Sequence, residues 1–265
     1  MDRATHDGAG TAHHRGGFTL VELLVVIGIL AVLAALVTVA ATRAQATAQN
    51  AAIKAEIDML HMAIMNYKNE YGSFPPCSDD LSSNNGLATK HLQRAFPRCS
   101  TARSEMSTVL QKQGANPVAI NPTNSLAFWL SGYTKDPSAP LTNGARTKLF
   151  DFDTSRVDAA TGAYYPRGRS GSPYIYIDSN NYSSYPYIMS GLTQVRAQRV
   201  PNTPPATNTA RDFATSTGTE TTPPFANADT FQILCAGRDE VFGTDDDLSN
   251  CWPRTRREYL ESLVE

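Results

Sequence analysis

The hydrophobic pattern changes its period along the chain. From Leu23 to Ala41 nearly every position is aliphatic or Ala; Thr38 is the one hydroxyl, and there is no charge. At helical rise such a run spans about 30 Å, the thickness of a bilayer's hydrocarbon core. After Ala41 the pattern turns amphipathic. Ile53, Ile57, Leu60, Ile64, Tyr67 and Tyr71 follow at alternating steps of four and three, which puts them on one helix face. Lys54, Glu56, Asp58, Lys68 and Glu70 fall on other faces, and the alanines between 44 and 55 favour helix. Gly72 suits a C-terminal cap, and Pro75-Pro76 forbid continuation. The prediction is one helix over residues 18–71, about 80 Å long. Residues 18–41 are its transmembrane part, and its second half packs on a sheet.

The rest is irregular. Residues 77–117 are polar, with weak helical patterning around Ala88–Phe96 and Glu105–Gln113, and read as an insertion over the surface. Asn121-Pro122 ahead of Ser125–Leu130 predicts a short capped helix with Phe128 and Trp129 in the core. Lys148–Asp153, Pro173–Ile177, Tyr185–Met189 and Thr230–Cys235 are short, β-branched or aromatic, and bounded by turn formers, so each predicts a strand. The second and third read as neighbours joined by a polar turn, with Pro186 forcing the third toward an edge. Residues 200–225 hold five prolines and eight threonines and read as a second surface insertion.

At 265 residues the chain has room beyond the apolar helix for one globular domain, residues 72–265. The net charge of −2 gives no basic excess to hold nucleic acid. No nucleophile elbow and no Gly-rich phosphate loop after a strand is present, so no catalytic residue is nominated and no enzyme is expected. Cys77, Cys99, Cys235 and Cys251 lack the close pairs of a zinc site. In an oxidising compartment they allow two disulfides in three connectivities. The local pairing, Cys77–Cys99 with Cys235–Cys251, closes two loops worth roughly 3 kcal/mol each.

Two stretches carry candidate chemistry. Glu22 lies one turn into the apolar run, where a lone carboxylate is expensive and wants a partner. Near the C-terminus, Asp245-Asp246-Asp247 are three adjacent carboxylates on a Gly-containing loop. Hard oxygens on such a loop suit Ca²⁺, although the ligand spacing of an EF-hand is missing; a solvated acidic turn is the alternative.

Gly16-Gly17-Phe18-Thr19-Leu20-Val21-Glu22 resembles the processing site of type IV prepilins and type II secretion pseudopilins. The resemblance implies a leader peptide, residues 1–17, cut by a prepilin peptidase between Gly17 and Phe18, with methylation of the new amine. It also implies filament assembly through Phe18 and Glu22, the carboxylate pairing with the N-terminal amine of a neighbouring subunit. Gly72-Ser73-Phe74-Pro75 extends the likeness toward the major, G-type pseudopilin. In that subunit a C-terminal loop binds calcium. Gly237-Arg238-Asp239 and Asp247-Leu248-Ser249-Asn250-Cys251-Trp252 are similar to its pattern, with Glu240 in place of a Gly and Cys251 inserted before the Trp. The resemblance implies Asp239, Asp245 and Asp247 and the Val241 carbonyl as ligands. It further implies an α+β pilin-like fold and a single pass of the inner membrane with the C-terminal domain in the periplasm. The partners it implies are membrane lipid before assembly, then copies of the chain, minor pseudopilins and an inner-membrane secretion platform. A subunit of a type IV pilus, serving adhesion, motility or DNA uptake, shares the N-terminus; a membrane-anchored exported enzyme or binding domain is the third reading.

Overall fold

The computed structural model describes residues 19–79, 86–112, 119–168, 171–184, 197–198 and 225–262. The predicted strand Tyr185–Met189 and most of the excursion at 200–225 lie outside them. The chain divides into two units, Met1–Ala48 and Gln49–Glu265.

Helix α1 (Leu20–Tyr71) runs unbroken through both. In the first unit its side chains are exposed, Leu20 to 79% and Leu36 to 64%. No core holds this segment, so its helicity rests on its internal hydrogen bonds. The hydroxyls close back onto the helix: Thr38 Oγ1 donates to the Ala34 carbonyl at 2.8 Å and Thr42 Oγ1 to Val39 at 3.0 Å. That satisfies them without water, as an apolar solvent requires.

From Ile53 onward α1 buries the predicted stripe. Ile57, Leu60, Ile64 and Tyr67 are fully buried. The helix stops where the sequence offers Gly72, which takes φ +83° and donates its N–H to the Lys68 carbonyl.

The sheet is small and antiparallel, ordered β1-β2-β3, with β1 (Ile175–Asp178), β2 (Phe231–Cys235) and β3 (Leu248–Ser249). Ile175 stands opposite Leu234 and Asp178 opposite Phe231, while Cys235 faces Leu248. Every residue of β1 and β2 is buried. The long helix with this sheet is the expected α+β, pilin-like arrangement.

Two expectations need correction. The stretch 148–153 is not a strand: Leu149 and Phe150 donate their N–H groups to the Leu130 carbonyl instead of to a ladder. The segment read as a surface insertion forms helices α2 (Leu87–Ala95) and α3 (Ala102–Lys112). They are core elements, burying Leu92, Met106 and Leu110 completely. Asp79 fixes α2 by accepting from the Ala88 and Thr89 N–H groups. Strand β3 is not among the predicted strands, being too short for any pattern to announce. Helix α4 (Ser125–Leu130) is as predicted, fully buried, with Trp129 Nε1 donating to the Pro76 carbonyl at 2.9 Å.

Around Tyr67 the core turns polar. Its hydroxyl meets Tyr133 Oη at 2.5 Å and His91 Nε2 at 2.8 Å, and Ser73 Oγ meets His91 Nδ1 at 3.2 Å. Burial, with the nearby Arg94 charge, holds the His91 imidazole down to about 4, so it is neutral at physiological pH.

Candidate functional site

The apolar helix opens on a reciprocal cap. The Thr19 N–H and hydroxyl both donate to Glu22 Oε2 at 2.8 Å, and the Glu22 N–H donates to Thr19 Oγ1 at 3.2 Å. This is a capping box: two N–H groups with no helical acceptor of their own find side-chain oxygens. The Thr-x-x-Glu spacing was present in the sequence and unused there. Glu22 is therefore engaged within its own chain. Both Thr19 donors fall on one oxygen, so the carboxylate keeps acceptor capacity for a further cation. Gly17 and Phe18 lie outside the described residues.

The acidic loop joins β2 to β3, and its carboxylates other than Asp245's point at the loop's own groups. Asp239 Oδ1 accepts from the Val241 N–H at 2.8 Å. Asp246 Oδ2 accepts from the N–H groups of Arg238 and Asp239, while its Oδ1 takes the Thr244 hydroxyl. Asp245 pairs with Arg257 at 2.7 Å. The Val241 carbonyl accepts from Thr244 Oγ1. Asp247 is 5% exposed and accepts from the Gly243 N–H at 2.7 Å through Oδ2, with Oδ1 buried and unpartnered. Burial pushes its carboxyl up to about 7. Among the described residues no three His, Cys, Asp or Glu side chains are grouped to hold a metal. Asp239, Asp245, Asp247 and the Val241 carbonyl do not converge, and one orphaned oxygen falls well short of the six to eight that calcium takes. As arranged, the loop does not fit the ion.

One position that keeps the G-type pattern and one that departs from it have structural correlates. Gly237 takes φ +61°, and a Cβ there would meet the Asp246 carbonyl at 2.4 Å, so that Gly is required. Glu240 sits at φ +58°, a left-handed position where Gly costs nothing and Glu is strained.

Residues 12–38 match the prokaryotic N-terminal methylation motif. No curated protein and no solved structure matches the chain. The motif is the signal of type IV pilin-like prepilins; processing by a prepilin peptidase and assembly into a filament go with it. It covers Gly17, Phe18, the capping box and most of the apolar run, and stops short of the globular unit. Helix α1 is long and apolar enough to cross a membrane, consistent with single-pass anchoring.

All four cysteines stand as free thiols, with Cys77, Cys99 and Cys235 buried. The register sets Cys235 and Cys251 apart. Cys235 faces Leu248 at one end of β2, whereas Cys251 lies at the other end, with Asn227 Nδ2 3.6 Å from its sulfur and 3.3 Å from the Phe231 carbonyl. Four residue steps of strand separate those ends, about 13 Å, and a disulfide needs Cα atoms within about 7 Å.

The helical pattern puts Glu56 on a face other than the apolar stripe, yet the structure buries it. It accepts from Tyr164 Oη and Tyr174 Oη at 2.7 Å each and from both terminal nitrogens of Arg156. Burial works to raise its carboxyl, but these donors outweigh it and the net shift is downward. Asp178 does similar work at the helix exit, accepting from the Cys77 N–H at 2.8 Å and from Asn181 Nδ2. Nothing in the local pattern marks Glu56, because its donors lie about a hundred residues away, and Asp178 likewise draws its Cys77 donor from 101 residues off.

Proposed function

We propose that the chain is a structural subunit of a type II secretion pseudopilus, closest in kind to the major, G-type pseudopilin. It is cut between Gly17 and Phe18 and methylated on Phe18. Residues 18–41 then hold it in the inner membrane with the globular unit in the periplasm. Assembly on the inner-membrane platform, with minor pseudopilins, extracts that helix into a filament whose growth moves proteins across the outer membrane. The role is mechanical rather than enzymatic.

The observation that carries this reading is the methylation motif on a helix that exposes every apolar side chain from Leu20 to Val39. Such a surface is stable in lipid or against copies of itself, and in water it is a liability. The Gly-Ser-Phe-Pro exit from α1 supports a pseudopilin over a surface pilin. So does the sheet register, which argues against a Cys235–Cys251 loop of the sort that closes many pilins.

Mass spectrometry of the native protein should find its N-terminus at methylated Phe18; a native chain beginning at Met1 overturns the reading. Deleting the gene should retain exported enzymes in the periplasm while surface pili and twitching persist. Loss of pili with export intact would assign the chain to a type IV pilus instead.

A further inference from the structure

The acidic loop holds a cation of its own. Helix α5 (Arg256–Ser262) follows the loop and is announced by Thr255-x-x-Glu258, a second capping-box spacing. It docks through Tyr259 stacked on Trp252, while Trp252 Nε1 donates to the Asp247 carbonyl at 3.2 Å. That docking carries Arg256 inward until it is 2% exposed. Its backbone N–H donates to the Asp247 carbonyl at 2.9 Å, and its Nη1 to the carbonyls of Gly243 and Thr244. One residue on, Arg257 grips Asp245 twice, by its N–H to the carbonyl at 2.8 Å and by its guanidinium to the carboxylate at 2.7 Å.

Loop carbonyls converging on a buried positive charge, with Asp245 and Asp247 near it, are the arrangement a hard cation would organise. Here the charge is a guanidinium. We propose that Arg256, seconded by Arg257, is the resident cation of the acidic loop and closes it without a metal ion. Two arrangements then compete for the same oxygens. A calcium ion would need the Gly243 and Thr244 carbonyls or the Asp245 carboxylate turned away from the arginines, against a tethered partner at high effective concentration. The same tether gives the chain a reason for α5: without it the Asp245–Asp247 run is left to self-repulsion. The inference is independent of the secretion reading, since it concerns only how the globular unit closes.

Hydrogen exchange at the Arg238, Val241 and Gly243 amides of the full-length protein in detergent reads the loop directly. All three donate within the loop. In the wild-type chain, exchange should stay the same, within about twofold, between chelator and millimolar calcium, whereas Arg256→Met should speed it at least about tenfold. Arg257→Gln, whose guanidinium is mostly exposed, should leave the fold intact and speed exchange by a few-fold. Two outcomes overturn the proposal. One is a tenfold acceleration of wild-type exchange by chelator. The other is unchanged exchange in the Arg257 variant, together with either unchanged exchange or rescue by calcium in the Arg256 variant.

Discussion

Replacing Glu56 by Gln keeps the volume and removes the charge at the polar centre of the globular unit. Glu56 is 9% exposed, and its two oxygens collect Tyr164, Tyr174 and both terminal nitrogens of Arg156. The Gln carbonyl oxygen retains part of that set, but its NH₂ turns a donor toward groups that are donors themselves. Breaking one side of a buried pair costs about 3–5 kcal/mol when the partner charge is stranded. Arg156 is only partly stranded, since Nη1 also donates to the Tyr165 carbonyl at 3.1 Å, so about 3 kcal/mol is the expected loss. At about 2–4 °C per kcal/mol for a unit of this size, the thermal midpoint should fall by roughly 6–12 °C. The assay is thermal unfolding of the full-length protein in detergent at neutral pH, followed by near-ultraviolet circular dichroism. The sign of the pH dependence is a second check. The folded carboxyl is held below its ordinary value, so its contribution is complete above the unfolded pKa and is lost as the pH falls through the folded one. Wild type should therefore lose its advantage over Glu56→Gln in acid. A midpoint within about 1 °C of wild type at pH 7 would refute the reasoning, because a net cost near zero means the donors do not depend on the charge.

The remaining predictions concern other groups. His91 is held to about 4 in the fold against an ordinary 6.5, so the folded state resists the proton that the unfolded chain takes up. Stability should fall as the pH drops from about 6.5 to about 4 and then level, by about 3 kcal/mol in all, and His91→Asn should flatten that part of the profile in a pH series of melts. Trp129→Ala removes a fully buried indole and its bond to Pro76, and should cost about 3–5 kcal/mol in denaturant titrations. Non-reducing peptide mapping of the native protein should find no peptide joining Cys235 to Cys251; finding one would mean that the β2–β3 register is different. Thr19→Ala should fray the first turn of α1 by about 1 kcal/mol while leaving the globular melt unchanged, measured as faster amide exchange at residues 20–23.

The sequence alone determined everything that depends on neighbours along the chain. A charge-free run, a four-three stripe and a Gly followed by Pro-Pro specify a helix, its two environments and its end, because those signals repeat within a turn or two. The processing site is legible for the same reason: a peptidase reads contiguous residues. Only the tertiary structure could decide the rest. Helices α2 and α3 look like polar surface until their few apolar residues find a core. Glu56 looks like a solvated charge until Arg156, Tyr164 and Tyr174 arrive from a hundred residues away. The acidic loop reads as a metal site until Arg256 and Arg257 fold back onto it. A side chain's burial and its partners are properties of the whole packed arrangement, whereas periodicity and capping are properties of the segment. A charged residue's role is fixed by what stands opposite it in space, and that is what one-dimensional pattern leaves out.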